Sequence, residues 1–564
     1  MIAEIKKQIA EVLANAGVTA EIELSAPPKS EMGDFAFGCF ALAKTAGKNP
    51  AEVASDLAQK ITEAGLPEIV SAIKAFGPYV NFFLNTGVTA ELILSGISAA
   101  GEKYGQLELG KGKKVMIEYP SQNTHKEFHI GHLRNVCIGN TLVELFRAGG
   151  YDVKPVNYIN DFGSHVAKCL WGIQHFYAGK VLSENKQKWL GEVYAEASIF
   201  LEENPDHKPE VEALQLQLEA HDSKIWDLFE QTRQWSLAGF EDIQKELGCG
   251  HKTLFLESDV KARGQELVDE LLQKGIAKVG DGGAIIIDLS GHNLDIALLR
   301  KSSGAGLYLT SDLALAEKKF GSHDITESIN VTGIEQNFYF KQLFKVLELN
   351  GFAHKMTHIG YGLVTLPEGK MSSRRGNVIL YEDLRDDIFA YMEEEVGKRH
   401  TDWSEEKVDE VATVLTQAIL KFTMQKHEAA KTIAFNFAEA VSFEGFSAPY
   451  LLYTIARINS ILRKQEIKPG SGKFLVEAEE KNLVLKLAIF PEIVQKALAD
   501  YNPSTLTNYT FEVAQAFSSF YHLHSIKDAE NPEIQAARVV LIKATHQVIT
   551  RALSLLTIRT VEEM

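Results

Sequence analysis

A short β-branched run, Val115-Met116-Ile117-Glu118-Tyr119, reads as a buried strand. After a loop comes His129-Ile130-Gly131-His132. A helical pattern then runs through Leu133, Val136, Ile138, Leu142, Leu145 and Phe146 until Gly149-Gly150 stops it. Residues 153–159 read as the next strand. Strand, helix and strand in this order make a βαβ unit of a parallel sheet. This part of the chain is therefore expected to fold as a doubly wound, Rossmann-like sheet, with ligands at the carboxyl ends of its strands. Further strands are expected at 284–289, 328–332 and 358–364.

At 564 residues the chain exceeds one core, and three or four domains are expected. Residues 1–87 read as a small α/β unit. It opens with a helix whose Ile2, Ile5, Ile9, Val12 and Leu13 share one face. Extended stretches follow at 21–24, 73–75 and 80–84, the last opened by Gly77-Pro78. The sheet domain is placed at 110–385, with a mostly helical, charged insertion at about 167–274. From about Glu382 onward only helical patterns remain, so 386–564 are assigned to an all-α stem and bundle. The fold class is α/β and multidomain.

Apolar residues are 45% and charged residues 24%, ordinary for a globular chain. No uncharged apolar run reaches membrane-spanning length, and Glu4, Lys6 and Lys7 interrupt the N-terminal apolar face, so neither a membrane span nor a signal peptide is expected. Cys39, Cys137, Cys169 and Cys249 have no metal or disulfide spacing, which fits a reducing cytoplasm and no protein-bound metal. The net charge of −17 argues against indiscriminate nucleic-acid binding, though local basic surface can still hold such a partner.

The His129 turn lies where a strand feeds a helix N-terminus, a natural phosphate site. Gly131 lets a nucleotide approach the backbone closely. His129 and His132 can donate to phosphate oxygens without the desolvation penalty of a full charge, and Lys126 offers a cation in the same loop. Far along the chain stands a basic loop, Gly369-Lys370-Met371-Ser372-Ser373-Arg374-Arg375. There Lys370 can hold a leaving pyrophosphate, with Ser372 and Ser373 adding donors. Phosphoryl chemistry needs such positioning and charge stabilisation more than covalent help. Each motif alone has an ordinary reading, a core histidine or a solvated loop. The pair, in this order and on these elements, reads as the two halves of an ATP site that makes aminoacyl-adenylates.

At these two motifs the chain resembles the class I aminoacyl-tRNA synthetases. More closely it resembles the arginyl-tRNA synthetases, over almost its whole length. Gly33-Asp34-Phe35-Ala36 and Gly77-Pro78-Tyr79-Val80-Asn81-Phe82 resemble that family's small N-terminal domain. Glu118-Tyr119-Pro120-Ser121-Gln122-Asn123, Asn157 to Gly163, Tyr308-Leu309-Thr310-Ser311-Asp312 and Gly333-Ile334-Glu335-Gln336 resemble segments of its catalytic domain. Ser442-Phe443-Glu444-Gly445 and Pro449-Tyr450-Leu451-Leu452-Tyr453 resemble its anticodon-binding domain. There are departures: Gln122 and Glu127 replace prolines, Phe162 replaces a tryptophan, and Phe446-Ser447-Ala448 replaces Asn-Thr-Gly. Gln122 bears on the backbone around Asn123.

The resemblance implies that the chain ligates L-arginine to its tRNA. Arginyl-adenylate forms from Mg²⁺-ATP, with tRNA already bound, and the arginyl group then passes to the terminal ribose. Asp312 and Tyr308 are expected at the guanidinium, with Glu118 close by. Ser121, Asn123 and Gln336 are expected at the α-amino and carboxylate end, and His132 between amino acid and ATP. The ATP set is His129, Gly131, His132, Lys370, Met371, Ser372 and Ser373. The ordinary readings are a helix N-terminal acid for Asp312, a solvated edge-strand acid for Glu118, and core packing for Tyr308 and Gln336. A guanidinium is a permanently charged planar fork, so buried acids reject lysine and neutral side chains by ~10⁴ or more without editing. The insertion is accordingly read as structural or tRNA-contacting. Tyr450, Tyr453, Arg457, Asn459 and Arg463 are expected to meet the anticodon, and Tyr79, Asn81 and Phe83 the tRNA elbow. A monomer is the family expectation. A cysteinyl enzyme would need a zinc site and a glutamyl enzyme a basic pocket. A non-catalytic tRNA-binding paralogue would not need the histidines, Lys370 and the acids.

Overall fold

The computed structural model describes residues 1–178, 180, 181, 183–365, 379–464, 470–527, 529 and 531–564. The amphipathic Ile2–Asn15 helix buries Ile2, Ile5, Ile9 and Leu13. They share a core with Val80, Phe82 and Leu84 of a four-stranded antiparallel sheet. Its strands are β1 (Leu24–Ser25), β2 (Phe35–Gly38), β3 (Val70–Phe76) and β4 (Tyr79–Leu84), in the order β1-β2-β4-β3. Gly77, at φ +54°, makes the tight turn between β3 and β4. The extended stretch expected at 21–24 is shorter: only Leu24 and Ser25 pair with β2. Asp34 ties this unit to the C-terminal helices, because one carboxylate oxygen accepts from the Leu84 amide (2.7 Å) and the Lys481 ammonium (2.6 Å).

The central sheet opens with β5 (Lys114–Glu118), β6 (Asp152–Ile159) and β7 (Thr253–Leu256). Three short strands follow, β8 (Lys278–Val279), β9 (Ile285–Asp288) and β10 (Ile296–Arg300). The chain then returns through β11 (Glu327–Gly333) and β12 (Lys355–Tyr361). The central order is β12-β11-β5-β6-β7, all parallel. From β5 the chain winds outward through β6 and β7, then restarts on the other side with β11. The switch point between β5 and β11 opens a crevice at their carboxyl ends.

Two expectations about this sheet need correction. The strand expected at 284–289 lies outside it, in a separate antiparallel sheet of order β10-β9-β8. Ile285 and Ile287 face a core with Leu267, Leu309 and Leu313, while Ile286 is half-buried, so only one face is covered. The fifth strand of the central sheet is instead β7, within the stretch expected to be a helical insertion. The helices Ser164–Tyr177, Lys186–Glu203, Lys208–Glu219 and Ser223–Glu246 do build a core of their own around Trp189, Val193 and Phe229.

The Ile130–Ala148 helix crosses the sheet closely. A side chain at Gly139 would lie 2.2 Å from the Tyr119 ring. Beyond β12, β13 (Val364–Thr365) pairs in parallel with β14 (Ile433–Ala434). β14 is a short break in a region expected to be wholly helical. Around it stand helices Tyr381–Arg399, Glu405–Gln425, Ala448–Lys464, Ala478–Ala488, Phe490–Ala499, Pro503–Leu523 and Pro532–Leu555. Among the described residues no helix is long and apolar enough to cross a membrane.

Candidate active site

A cavity of about 550 Å³ opens at the switch point. It brings together residues far apart in sequence: Glu118, Ser121, Asn123, His129, His132, Tyr308, Asp312 and Gln336 all line it.

His129 is the N-cap of the Ile130–Ala148 helix. Its Nδ1 accepts from the amides of Gly131 (3.1 Å) and His132 (3.4 Å), while His132 Nδ1 accepts from the His129 amide (3.3 Å). The rings stack with centroids 3.8 Å apart. Because both Nδ1 atoms accept, each neutral ring carries its proton on Nε2. Burial is the main reason neither ring protonates readily. It lowers the His129 pKa to about 4, with Lys126 adding to the effect, and holds His132 well below the usual histidine range. Two uncharged N–H donors thus stand at a helix N-terminus. A Cβ on Gly131 would meet the His129 ring at 2.9 Å, so this turn needs glycine.

Part of the cavity lining is acidic. Asp312 lies one turn inside the Tyr308–Ser322 helix and accepts a hydrogen bond from the Tyr339 hydroxyl. Burial lifts its pKa to about 7; the Tyr339 bond opposes this rise and the Glu118 charge adds to it. Glu257, beside it, is also raised to about 7, first by burial and then by Asp312. Tyr308 begins the helix and stands 63% exposed at the cavity mouth, not packed in a core as its ordinary reading had it. Glu118 is not a solvated edge acid. It is buried on the central strand β5, its Oε2 2.5 Å from the Lys319 ammonium and its Oε1 accepting from Asn330 Nδ2 at 2.8 Å. With both oxygens engaged, Glu118 shapes the floor of the cavity beneath Asp312.

The Ser121–Asn123 loop is held by side chains. Asn157 Oδ1 accepts from the Ser121 amide (3.1 Å), and Asn157 Nδ2 donates to Gln122 Oε1 (2.8 Å). Buried Gln122 thereby supplies a staple that a proline cannot. Gln336 is exposed at the rim. Lys126 places its ammonium 4.9 Å from the Tyr194 ring centroid. Lys370, Met371, Ser372 and Ser373 lie outside the described residues.

The surfaces expected to meet tRNA are mixed. Tyr79 is exposed, but Asn81 is buried and donates to the Met32 carbonyl at 2.8 Å, which removes it from any outer surface. Phe83 is half-buried under the Lys74 ammonium. Tyr453 and Arg457 are exposed, the latter 4.4 Å from the Tyr521 ring centroid. Tyr450 is half-buried, with its hydroxyl 3.0 Å from Ser518 Oγ. Asn459 donates to the Glu562 carbonyl and Arg463 pairs with Glu563. Sequence reasoning missed Lys319, Tyr339, Asn330 and Glu257. Of these, Glu257 alone carried a signal, an acid directly after the apolar Leu254-Phe255-Leu256.

Comparison with known proteins agrees along the whole chain. Residues 94–437 match the model for the catalytic domain of class I (R) tRNA synthetases. Residues 451–564 match the DALR anticodon binding domain, and 3–84 the arginyl tRNA synthetase N-terminal domain. The chain is 34% identical to the arginine–tRNA ligase of Clostridium beijerinckii, with 100% of each chain covered. It is 34% identical to that of Treponema denticola, covering 96% of this chain and 95% of that one. The fold matches the arginyl-tRNA synthetase of Thermus thermophilus with a TM-score of 0.79 at 24% identity, covering 100% of both chains. It matches that of Plasmodium falciparum with a TM-score of 0.78 at 19% identity, covering 99% of each. The chain therefore belongs to the arginyl-tRNA synthetases, class I enzymes that use ATP to ligate arginine to tRNA.

Proposed function

We propose that the cavity binds arginine and ATP side by side and that the residues lining it divide the work as follows. Asp312, with Tyr308, receives the guanidinium. Charge-assisted hydrogen bonds to a buried carboxylate are strong and suit the planar fork. Glu118, held by Lys319 and Asn330, sets the cavity floor. Ser121, Asn123 and Gln336 hold the α-amino and carboxylate groups. The Nε2–H groups of His129 and His132 donate to phosphate oxygens, with Lys126 and Lys370 as cations and Met371, Ser372 and Ser373 completing the ATP site.

The arginine carboxylate attacks the α-phosphate in line, and pyrophosphate leaves. The terminal ribose hydroxyl of the tRNA then attacks the adenylate carbonyl, and AMP leaves. Mg²⁺ enters as the ATP complex. Arg457 and Tyr453, with Tyr450, Asn459 and Arg463 on the same helix, face the anticodon, and Tyr79 faces the tRNA elbow. The enzyme acts in the cytoplasm, a reading supported by four free cysteines, and as a monomer, as the family resemblance implies.

One observation carries this reading: a single cavity is lined both by the His129–His132 pair and by Asp312 with Tyr308. Its test is tRNA-dependent, arginine-dependent ATP–pyrophosphate exchange by Asp312→Asn. The KM for arginine should rise by at least about a hundredfold, the scale of losing one partner of a buried charge pair. The KM for ATP should move little. An unchanged arginine KM would refute the assignment.

A further inference from the structure

Two positions after the histidine turn, Arg134 is fully buried, and among the described residues it has no ion-pair partner. Its partners are main-chain carbonyls. Nη1 donates to Gly362 (2.5 Å) and Leu363 (3.3 Å), and Nη2 to Glu428 (3.3 Å) and Ala429 (3.0 Å). A buried charge without a counter-charge is unfavourable, and an apolar side chain of similar volume packs a helix face at least as well. Helix packing alone therefore gives no reason for a guanidinium here. The segments it joins supply one.

Gly362 and Leu363 connect β12 to β13, and β13 leads into residues 366–378. Glu428 and Ala429 lead toward β14, the partner of β13. The Gly362 amide also donates to the Ala429 carbonyl at 2.8 Å, and a Cβ on Gly362 would lie 2.6 Å from the Lys431 backbone. On the returning side, the Ile130 amide donates to the Ile379 carbonyl (2.9 Å) and the Tyr381 amide to the Phe128 carbonyl (3.0 Å). The chain before residue 366 is thus bound to the Ile130–Ala148 helix through Arg134, and the chain after 378 to the histidine turn. The next residue, Asn135, points to the sheet, donating to the carbonyls of Pro120 (3.1 Å) and Val331 (2.9 Å).

We infer that Arg134, given the ATP site proposed above, is a positioning residue for adenylate formation: its planar fork fixes the β12–β13 junction and the 428–429 segment against the histidine turn. Both histidines are thereby held at a set distance from the β12–β13 junction and the 428–429 segment. A lysine is a compact charge on a flexible stem and cannot span both segments.

The test compares wild type, Arg134→Lys and Gly362→Ala, the last disturbing the same junction while the guanidinium itself is kept. Single-turnover arginyl-adenylate formation with tRNA bound is measured, normalised by active-site titration, alongside KM values for ATP and arginine. Both variants should form adenylate at least tenfold more slowly and with a raised ATP KM, while arginine KM stays within twofold. If Arg134→Lys does not fold, the same split in Gly362→Ala supports the inference. Wild-type rates per active site in a folded variant would overturn it. So would an equal loss in the ATP and arginine parameters, or the failure of both variants to fold. Wild type that does not charge arginine would instead refute the proposed function.

Discussion

The Lys319 ammonium lies 2.5 Å from the Glu118 carboxylate, and both side chains are buried in the lining of the cavity. Lys319 stands two helical turns after Asp312, on the same helix face. The arrangement places a resident cation under the acid proposed to receive the substrate.

Removing one partner of such a pair strands the other charge, at about 3–5 kcal/mol, whereas replacing both can be nearly neutral. Lys319→Met should therefore destabilise the protein by that amount in urea unfolding, and adding Glu118→Gln should recover most of it. A Lys319→Met protein as stable as wild type would show that the ion pair carries no such weight.

Asp312 titrates near 7 in the folded enzyme, against 3.8 as its ordinary value, chiefly because it is buried. As pH rises through 3.8 the unfolded chain loses this proton, while the folded one keeps it until about 7. This group thus favours folding below 3.8, and its contribution is lost as pH rises to about 7. A guanidinium needs the ionised form, so arginine binding releases the proton. The arginine KM should rise about tenfold from pH 8 to pH 6. The thermal stabilisation given by arginine should be larger at pH 8. A flat profile would place the guanidinium elsewhere.

His129 caps its helix and is proposed to donate to phosphate, two roles that substitution can separate. Serine keeps a cap acceptor but is too short to donate to phosphate; alanine keeps neither. His129→Ala should cost about 1 kcal/mol of stability and His129→Ser much less. Both should slow adenylation by about 10²-fold or more, as loss of a positioned donor does. A serine variant with the wild-type adenylation rate would confine His129 to capping.

The βαβ unit around His129 was legible because its apolar residues keep strand and helix periods and glycines close the helix. β7 was not, since four residues, Thr253–Leu256, differ little from a helix flank. Lys319 follows Glu317-Lys318 and reads as surface charge, yet the Tyr308–Ser322 helix turns it into the sheet. Asn81 alternates with Val80 and Phe82 and reads as outward-facing, until the Met32 carbonyl covers it. Arg134 gives no signal of its own, because its carbonyl partners come from segments hundreds of residues downstream. Periodicity reveals elements; it does not reveal which polar side chains other elements will cover.

Arg457 remains exposed on the Ala448–Lys464 helix, whereas Arg463 is paired with Glu563. Arg457→Gln should weaken tRNA binding and reduce the salt dependence of its log affinity by about one. Arg463→Gln should do less. Filter binding across a salt series checks this, and equal slopes for Arg457→Gln and wild type would exclude a phosphate contact.

The most direct measurement is charging of an arginine tRNA transcript with Mg²⁺-ATP, offering each amino acid in turn. Arginine alone should be attached, with lysine rejected by about 10⁴ or more. Attachment of another amino acid at a comparable rate, or tight tRNA binding with no charging at all, would contradict the reading of this cavity as an arginine site.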